Sequence, residues 1–157
     1  MDTTPTHAWR QAAWADLSRD ELHAILAARA AVFVVEQRCA YLDVDGLDPG
    51  AHHLWLTDGA GALLAYARIL PPTTAAPIRI GRVLTTAGAR GQGLGRALMT
   101  RALEACRALG DGPIELSAQA HLEAFYGSLG FEPISPIYDE DGIPHRRMRR
   151  AGVAGAS

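Results

Sequence analysis

The sequence predicts an α/β (α+β) fold in which a mixed sheet carries helices on both faces. Three observations lead there. Apolar residues alternate over several short runs, the period of a half-buried strand. Over other stretches they recur every three or four residues, the period of an amphipathic helix. The two kinds of segment interleave as strand, helix, strands, helix, strand, helix, strands.

Taken in order, a short strand is expected from Trp9 to Ala15. Ser18 is a good N-cap, and Glu21 three residues later completes a capping box. The helix it opens carries Leu22, Ile25, Leu26 and Phe33 on one face, and Arg29 lies on that same face. After a loop, strands are expected near His53–Thr57 and Leu63–Leu70, separated by the turn "DGAGA" and ended by Pro71-Pro72. Pro77 to Thr86 alternates Ile78, Ile80 and Leu84 but is interrupted at Gly81, where a bulge or a close backbone approach is expected. Leu98, Ala102, Ala105 and Leu109 then form the stripe of a second helix. A strand at Ile114–Ser117, a helix over "HLEAFYGSLGF", and closing strands near Glu132–Tyr138 and Pro144–Arg149 joined by "DEDG" complete the chain.

The second helix opens on "ARGQGLGRALM", with three glycines in the five residues Gly91 to Gly95. A first helical turn leaves backbone N–H groups without partners and carries the positive end of the helix dipole. Glycine lets a ligand approach that backbone closely. The arrangement suits an anion, most often a phosphate; a plain strand-to-helix turn is the alternative. A P-loop needs G-x-x-x-x-G-K-[ST], and the chain has no lysine. A Rossmann G-x-G-x-x-G also fails, because Arg96 or Leu98 falls at its third glycine.

Arg90-x-x-Gly93-x-Gly95 resembles the R/Q-x-x-G-x-G/A signature of the GNAT superfamily of acyl-CoA N-acyltransferases. "FYGSLGF" looks like that family's second motif. "RAAVFVVEQRCAYLDVDGLD", "AYARIL", "IGRV", "AQAHLEAFY" and "YDEDGIPHRRM" are similar to its ElaA-type branch. The resemblance runs from about Trp9 to Arg150. It implies a mostly antiparallel central sheet of about six or seven strands. It implies acetyl-CoA as acyl donor, with the amides of Arg90, Gly91, Gln92, Gly93, Leu94, Gly95 and Arg96 around its pyrophosphate. The backbone of Val83, Leu84 and Thr85 would pair with the pantetheine arm and polarise the thioester carbonyl. Gln119 sits where many relatives have a coenzyme-contacting asparagine. Tyr126 matches the family's acid, although it also belongs to the apolar stripe of its helix. Many relatives keep a glutamate base on the strand before the loop; here that strand offers Arg79 and Arg82 instead.

Acyl transfer to an amine needs a held donor, a polarised carbonyl, a base and an acid. Tyrosine is protonated at neutral pH and can donate to a thiolate. Glu36 is the candidate base: it lies seven residues after Arg29, two α-helical turns along one face. Arg29, Glu36, Gln37 and Arg82 are therefore expected to form a polar cluster on the substrate side, either functional or a structural ion pair. His53 and His121 compete for the role of base, and either could instead be structural or solvated. Arg90 and Arg96 either meet phosphate oxygens or are solvated. Asp43, Asp45 and Asp48 are expected as an acidic rim attracting a cationic amine, or as a solvated turn. Their spacing does not fit an EF-hand, and no metal is expected.

The 157 residues suit one domain, placed at 7–151, with flexible ends at 1–6 and 152–157. A net charge of −2 argues against a nucleic-acid footprint. No apolar run approaches the ~20 residues of a membrane span, and the N-terminus lacks a secretory pattern, so a cytoplasmic location is expected. Cys39 and Cys106 form no disulfide framework, and Cys106 is expected in the core. "HRRMRR" reads as a last strand whose arginines blunt an exposed edge, which could also pair two copies into a homodimer. The expected function is an N-acetyltransferase acting on a primary amine; the alternative is a module that binds acyl-CoA without transfer.

Overall fold

The computed structural model describes residues 6–152. Along the chain come β1 (Ala8–Ala13), α1 (Arg19–Arg29), a π-helical segment (Ala30–Glu36), β2 (His52–Thr57), β3 (Leu63–Leu70) and β4 (Ile78–Thr85). Then follow α2 (Leu94–Leu109), β5 (Ile114–Gln119), α3 (Glu123–Gly127), β6 (Glu132–Pro133), β7 (Tyr138–Glu140) and β8 (Ile143–Arg150). The strands form one 8-stranded sheet in the order β1-β2-β3-β4-β5-β8-β6, with β7 also paired to β8. β4 and β5 run parallel, joined through α2, as a parallel pair requires. The other described pairs are antiparallel. The strand expected over Glu132–Tyr138 is two short ones, which raises the number above the expected six or seven. Pro133 and Pro136 lack the N–H groups a continuous ladder would use.

Strand alternation sorts side chains onto two faces. Leu54, Leu56, Ala65, Ala67, Ile69, Ile78, Ile80, Ile114, Leu116, Ala118 and Met148 meet the α2 stripe of Leu98, Met99, Ala102, Ala105 and Cys106. Ala12, Trp55, Tyr66 and Leu84 face the other way, onto Ile25 of α1 and Val32 of the π-helical segment. β4 changes phase in its middle. The register with β3 shifts between Tyr66 and Arg68, and Arg82 takes the positive φ of 52°. One extra residue is thereby absorbed, so Ile80 and Val83 both pack on the α2 side while Leu84 packs on the α1 side. The bulge expected at Gly81 is present, and it turns the Arg82 side chain toward the α1 face.

α1 starts as the sequence predicts, with Ser18 and Glu21 forming both bonds of the capping box. It does not run on in α form to Phe33. From Ala30 the backbone is π-helical, with bonds such as Gln37 N–H to Val32 O and Cys39 N–H to Val34 O reaching five residues back. The wider turns break the two-turn coincidence between Arg29 and Glu36. The last strand also departs from expectation: β8 lies between β5 and β6 and is not an exposed edge. Its arginines have partners: Arg147 and Arg149 converge on Glu115 of β5, and Arg146 reaches Glu123 of α3. Pairing of two copies through this strand is therefore ruled out while the sheet is intact. Of the ends expected to be flexible, 1–5 and 153–157 lie outside the described residues. Gly152 is packed so closely that a Cβ would stand 2.1 Å from Asp111 O.

Candidate active site

β4 and β5 pair only over Ile78–Ile80 and Ile114–Leu116, yet both continue, to Thr85 and Gln119. Past that point the two strands leave a gap in the middle of the sheet. A cleft of about 930 Å³ passes through it, lined by residues from both faces. Val83, Leu84 and Thr85 form its β4 wall; Ser117 and Gln119 form its β5 wall. β4 spends one edge on β3, so its opposite edge offers main-chain donors and acceptors to whatever enters.

The glycine-rich loop stands at the end of the β4 wall. Gly91 and Gly93 adopt φ of 81° and 74°, values an L side chain resists. Gly93 is the N-cap of α2 and contributes no side-chain cap, so the N–H groups of the first turn project from the loop without partners inside the helix. Arg90 lines the cleft, bonded to Thr85 O at 3.0 Å. Arg96 turns away toward α3, with Nη2 2.8 Å from Ser128 Oγ and its guanidinium over the Phe125 ring.

Tyr126 reaches the cleft from the α2 side. It is 6% exposed, packed edge-on against Phe125 and Phe131, and burial pushes its hydroxyl up to about 12. The phenol is therefore protonated throughout the physiological range. Glu36 and Gln37 line the cleft from the α1 side. Glu36 is bonded to Arg90, not to Arg29, and that hydrogen bond lowers its pKa, which makes it a weaker base than a free carboxylate. His121 lines the cleft and is exposed.

Arg29 and His53 lie outside the cleft, which corrects their expected place on the substrate side. Arg29 is wholly buried, with Nε 2.8 Å from Asp43 Oδ2 and Nη1 2.6 Å from Asp48 Oδ1. Arg68 joins Asp45 and Asp48, and Arg82 joins Asp43 and Asp45. The expected acidic rim is thus a lattice of three aspartates neutralised by three arginines. Only Asp45 and Arg82 of the six border the cleft. Arg68 Nε is buried with no hydrogen-bond partner among the described residues. His53 is fully buried. Its Nε2–H donates to Asp48 O at 3.1 Å and its Nδ1 accepts from the Tyr66 hydroxyl at 2.7 Å.

This lattice sets a pH dependence of stability. Burial lowers the His53 pKa below 6.5, opposed by the Asp48 carbonyl. Hydrogen bonds from Arg68 hold Asp45 well below 3.8; for Asp48, burial raises the pKa but the bonds and charges of Arg29 and Arg68 outweigh it and lower it. All three folded values lie below their unfolded ones. Their contribution is complete above the unfolded pKa and is lost as pH falls toward the folded one. The urea midpoint should be level above about pH 7, decline once pH passes below 6.5, and steepen below 3.8. A His53→Gln variant should lose the first decline and keep the second; a midpoint rising as pH drops through 6 would contradict this assignment.

Sequence reasoning passed over most of the far wall of the cleft, Tyr41, Glu140, Asp141, Ile143 and His145, which Cys39 also lines. His145 sits on β8 opposite Gln119 of β5. Alternation along "HRRMRR" would have placed it there only if β8 had been known to pair with β5. Among the described residues, no three His, Cys, Asp or Glu side chains are grouped to hold a metal, and no helix is long and apolar enough to cross a membrane.

Residues 18–151 match a family model described as the acetyltransferase (GNAT) domain. The chain is 45% identical over 148 residues to the protein ElaA of Escherichia coli K12, covering 90% of this chain and 95% of that one. A crystal structure of an acyl-CoA N-acyltransferase from Pseudomonas aeruginosa superposes with a TM-score of 0.89 at 50% identity, over 93% of this chain and 100% of the other. The crystal structure of E. coli ElaA gives a TM-score of 0.86 at 42% identity, over 92% and 99%.

Proposed function

Since the chain belongs to the GNAT acetyltransferase family and is an acyltransferase enzyme, we propose that it transfers an acetyl group from acetyl-CoA directly to a primary amine within a ternary complex. The observation that carries this reading is the gap between β4 and β5, with the glycine-rich loop at one end and Tyr126 on its wall. The loop amides from Arg90 to Arg96 hold the diphosphate, where Gly91 and Gly93 bring the backbone close and α2 directs its positive end. The free edge of Val83–Thr85 takes the pantetheine arm as an added strand, and an N–H there polarises the thioester carbonyl. Gln119, on the opposite wall, holds the arm from the β5 side.

Tyr126 donates its proton to the departing thiolate. A phenol at about 12 is a weak acid toward an ordinary thiolate in water. The thiolate departs into the same dry surroundings, however, and desolvation raises its proton affinity too. Burial acts on a thiol in the same direction: it pushes the core thiol of Cys106 up to about 12. Desolvation thus moves acid and leaving group the same way.

Calorimetry with acetyl-CoA, followed by thiol release across a panel of primary amines, tests the reading. Saturable binding and amine-dependent release are expected. Binding without release would leave a module that holds acyl-CoA and would overturn transfer. Gly93→Ala tests the loop. Nothing lies within 4 Å of the added Cβ. The cost is therefore backbone strain of about 1–2 kcal/mol at positive φ, relieved by reshaping the loop. The Kd for acetyl-CoA should rise about tenfold or more with only a small change in Tm; an unchanged Kd would remove the loop from coenzyme binding.

A further inference from the structure

The reading above has an acid and lacks a base: Arg79 and Arg82 stand on the strand before the loop, and Glu36 is held by Arg90. We propose that His145, backed by Glu140, takes the proton of the acceptor ammonium from the side of the sheet opposite Tyr126. The proposal deepens the acyl-transfer reading and rests on it.

Register settles the sides. Leu116, Ala118 and Met148 face α2, as Tyr126 does. Ser117 and Gln119 alternate with the first two and face the other way. His145 is directly opposite Gln119 in an antiparallel pair, so it shares Gln119's face. All of these side chains that border the cleft meet across the gap. A thioester lying between β4 and β5 would have the phenol on one side and the imidazole on the other. The amine can then add to the carbonyl from the imidazole side while the phenol serves the sulfur.

The imidazole is also set in the right tautomer. Its Nδ1 lies 2.7 Å from Ile143 O, and a carbonyl only accepts, so Nδ1 carries a hydrogen. The neutral ring therefore presents Nε2 as its basic atom. Nε2 lies 3.2 Å from Glu140 Oε2, so the ammonium has to enter between the two, where the carboxylate holds its charge while Nε2 takes the proton. Glu140 is 49% exposed at its side chain, so the pair has a route to solvent. Around His145, Tyr138 stacks on the ring, Ser117 bonds Tyr138 and lies 3.4 Å from Glu140, and Gln119 is the cross-strand neighbour. Asp141 adds a further carboxylate to the same wall. Among the described residues no arginine is bonded to Glu140, unlike Glu36. His121, the other cleft histidine, has no hydrogen bond fixing its ring among the described residues.

The step balances as follows. R–NH₃⁺ gives one proton to Nε2, and the freed nitrogen lone pair attacks the thioester carbon. The C–N bond forms, the C–S bond breaks, and the thiolate takes the proton of Tyr126. The second N–H proton lost by the amide nitrogen restores the phenol, and His145 passes its proton to solvent beside Glu140. Ammonium and thioester thus yield amide, thiol and one proton.

The test is kcat/KM against pH for wild type, His145→Gln and the exposed Glu140→Gln, using the best amine of the panel. Glutamine can bond Glu140 but cannot take a proton. His145→Gln should lose about 10²- to 10³-fold near pH 7. The deficit should shrink toward pH 10, where an amine of pKa about 10.4 deprotonates unaided. Glu140→Gln should lose less and shift the acidic limb of the profile to a different pH. Calorimetric Kd values for acetyl-CoA should match in all three. Profiles of wild type and His145→Gln that run parallel, or superimpose, would show a structural role or none and would overturn the assignment of base while transfer stood. A wild type that releases thiol with no amine would overturn the acyl-transfer reading and this inference with it.

Discussion

Tyr126→Phe is expected to lower kcat about 10²- to 10³-fold and to leave the affinity for acetyl-CoA within about twofold of wild type. The substitution removes one oxygen and keeps the ring, so the edge-on contacts with Phe125 and Phe131 at centroid distances of 5.1 and 6.1 Å survive. Among the described residues this hydroxyl has no hydrogen-bond partner to lose, and it borders the cleft. Removing it should leave Tm nearly unchanged. Rate and stability thus separate the two roles the sequence left open. A core tyrosine would change neither binding nor kcat; an acid changes kcat alone. Thiol release in single-turnover reactions reads the chemical step directly, and an unchanged rate there would take Tyr126 out of the mechanism.

Much of this was legible in the sequence because it depends on local pattern. The capping box at Ser18, the α2 stripe, the interruption at Gly81 and the glycine-rich loop each lie within a few residues. What was not legible depends on which strands meet. His145 opposite Gln119 follows from β8 entering the sheet beside β5, 26 positions away in numbering, and nothing in "HRRMRR" announces that partner. Arg29 shows a second kind of failure. Its apolar helix face correctly signalled a buried guanidinium in need of anions, but the α-helical period pointed to Glu36. The switch to i→i+5 bonding rotates Glu36 toward Arg90, and the anions come from the loop holding Asp43 and Asp48.

Arg29→Ala should therefore be among the most damaging single changes, by about 3–5 kcal/mol, because it leaves buried carboxylates without their counter-charge. For a chain of this size that corresponds to a fall in Tm on the order of 10 °C. Asp48, 3% exposed, would keep only Arg68; Asp43, 7% exposed, would keep Arg82 and the Tyr41 hydroxyl. Arg29→Lys distinguishes charge from geometry. An ammonium restores the charge but cannot repeat the fork in which Nε meets Asp43 Oδ2, Nη2 meets Asp43 O and Nη1 meets Asp48 Oδ1. It should recover part of the loss and no more. The same bonds hold the segment that carries Cys39 and Tyr41 against the cleft, so the surviving folded fraction of Arg29→Ala should show a raised KM for the amine with little change in the Kd for acetyl-CoA. Chemical denaturation with intrinsic fluorescence measures the first effect and steady-state kinetics at low temperature the second. An Arg29→Ala protein with the wild-type unfolding midpoint would mean that the aspartates protonate or hydrate without cost, and the ion lattice would no longer explain why this helix face tolerates an arginine.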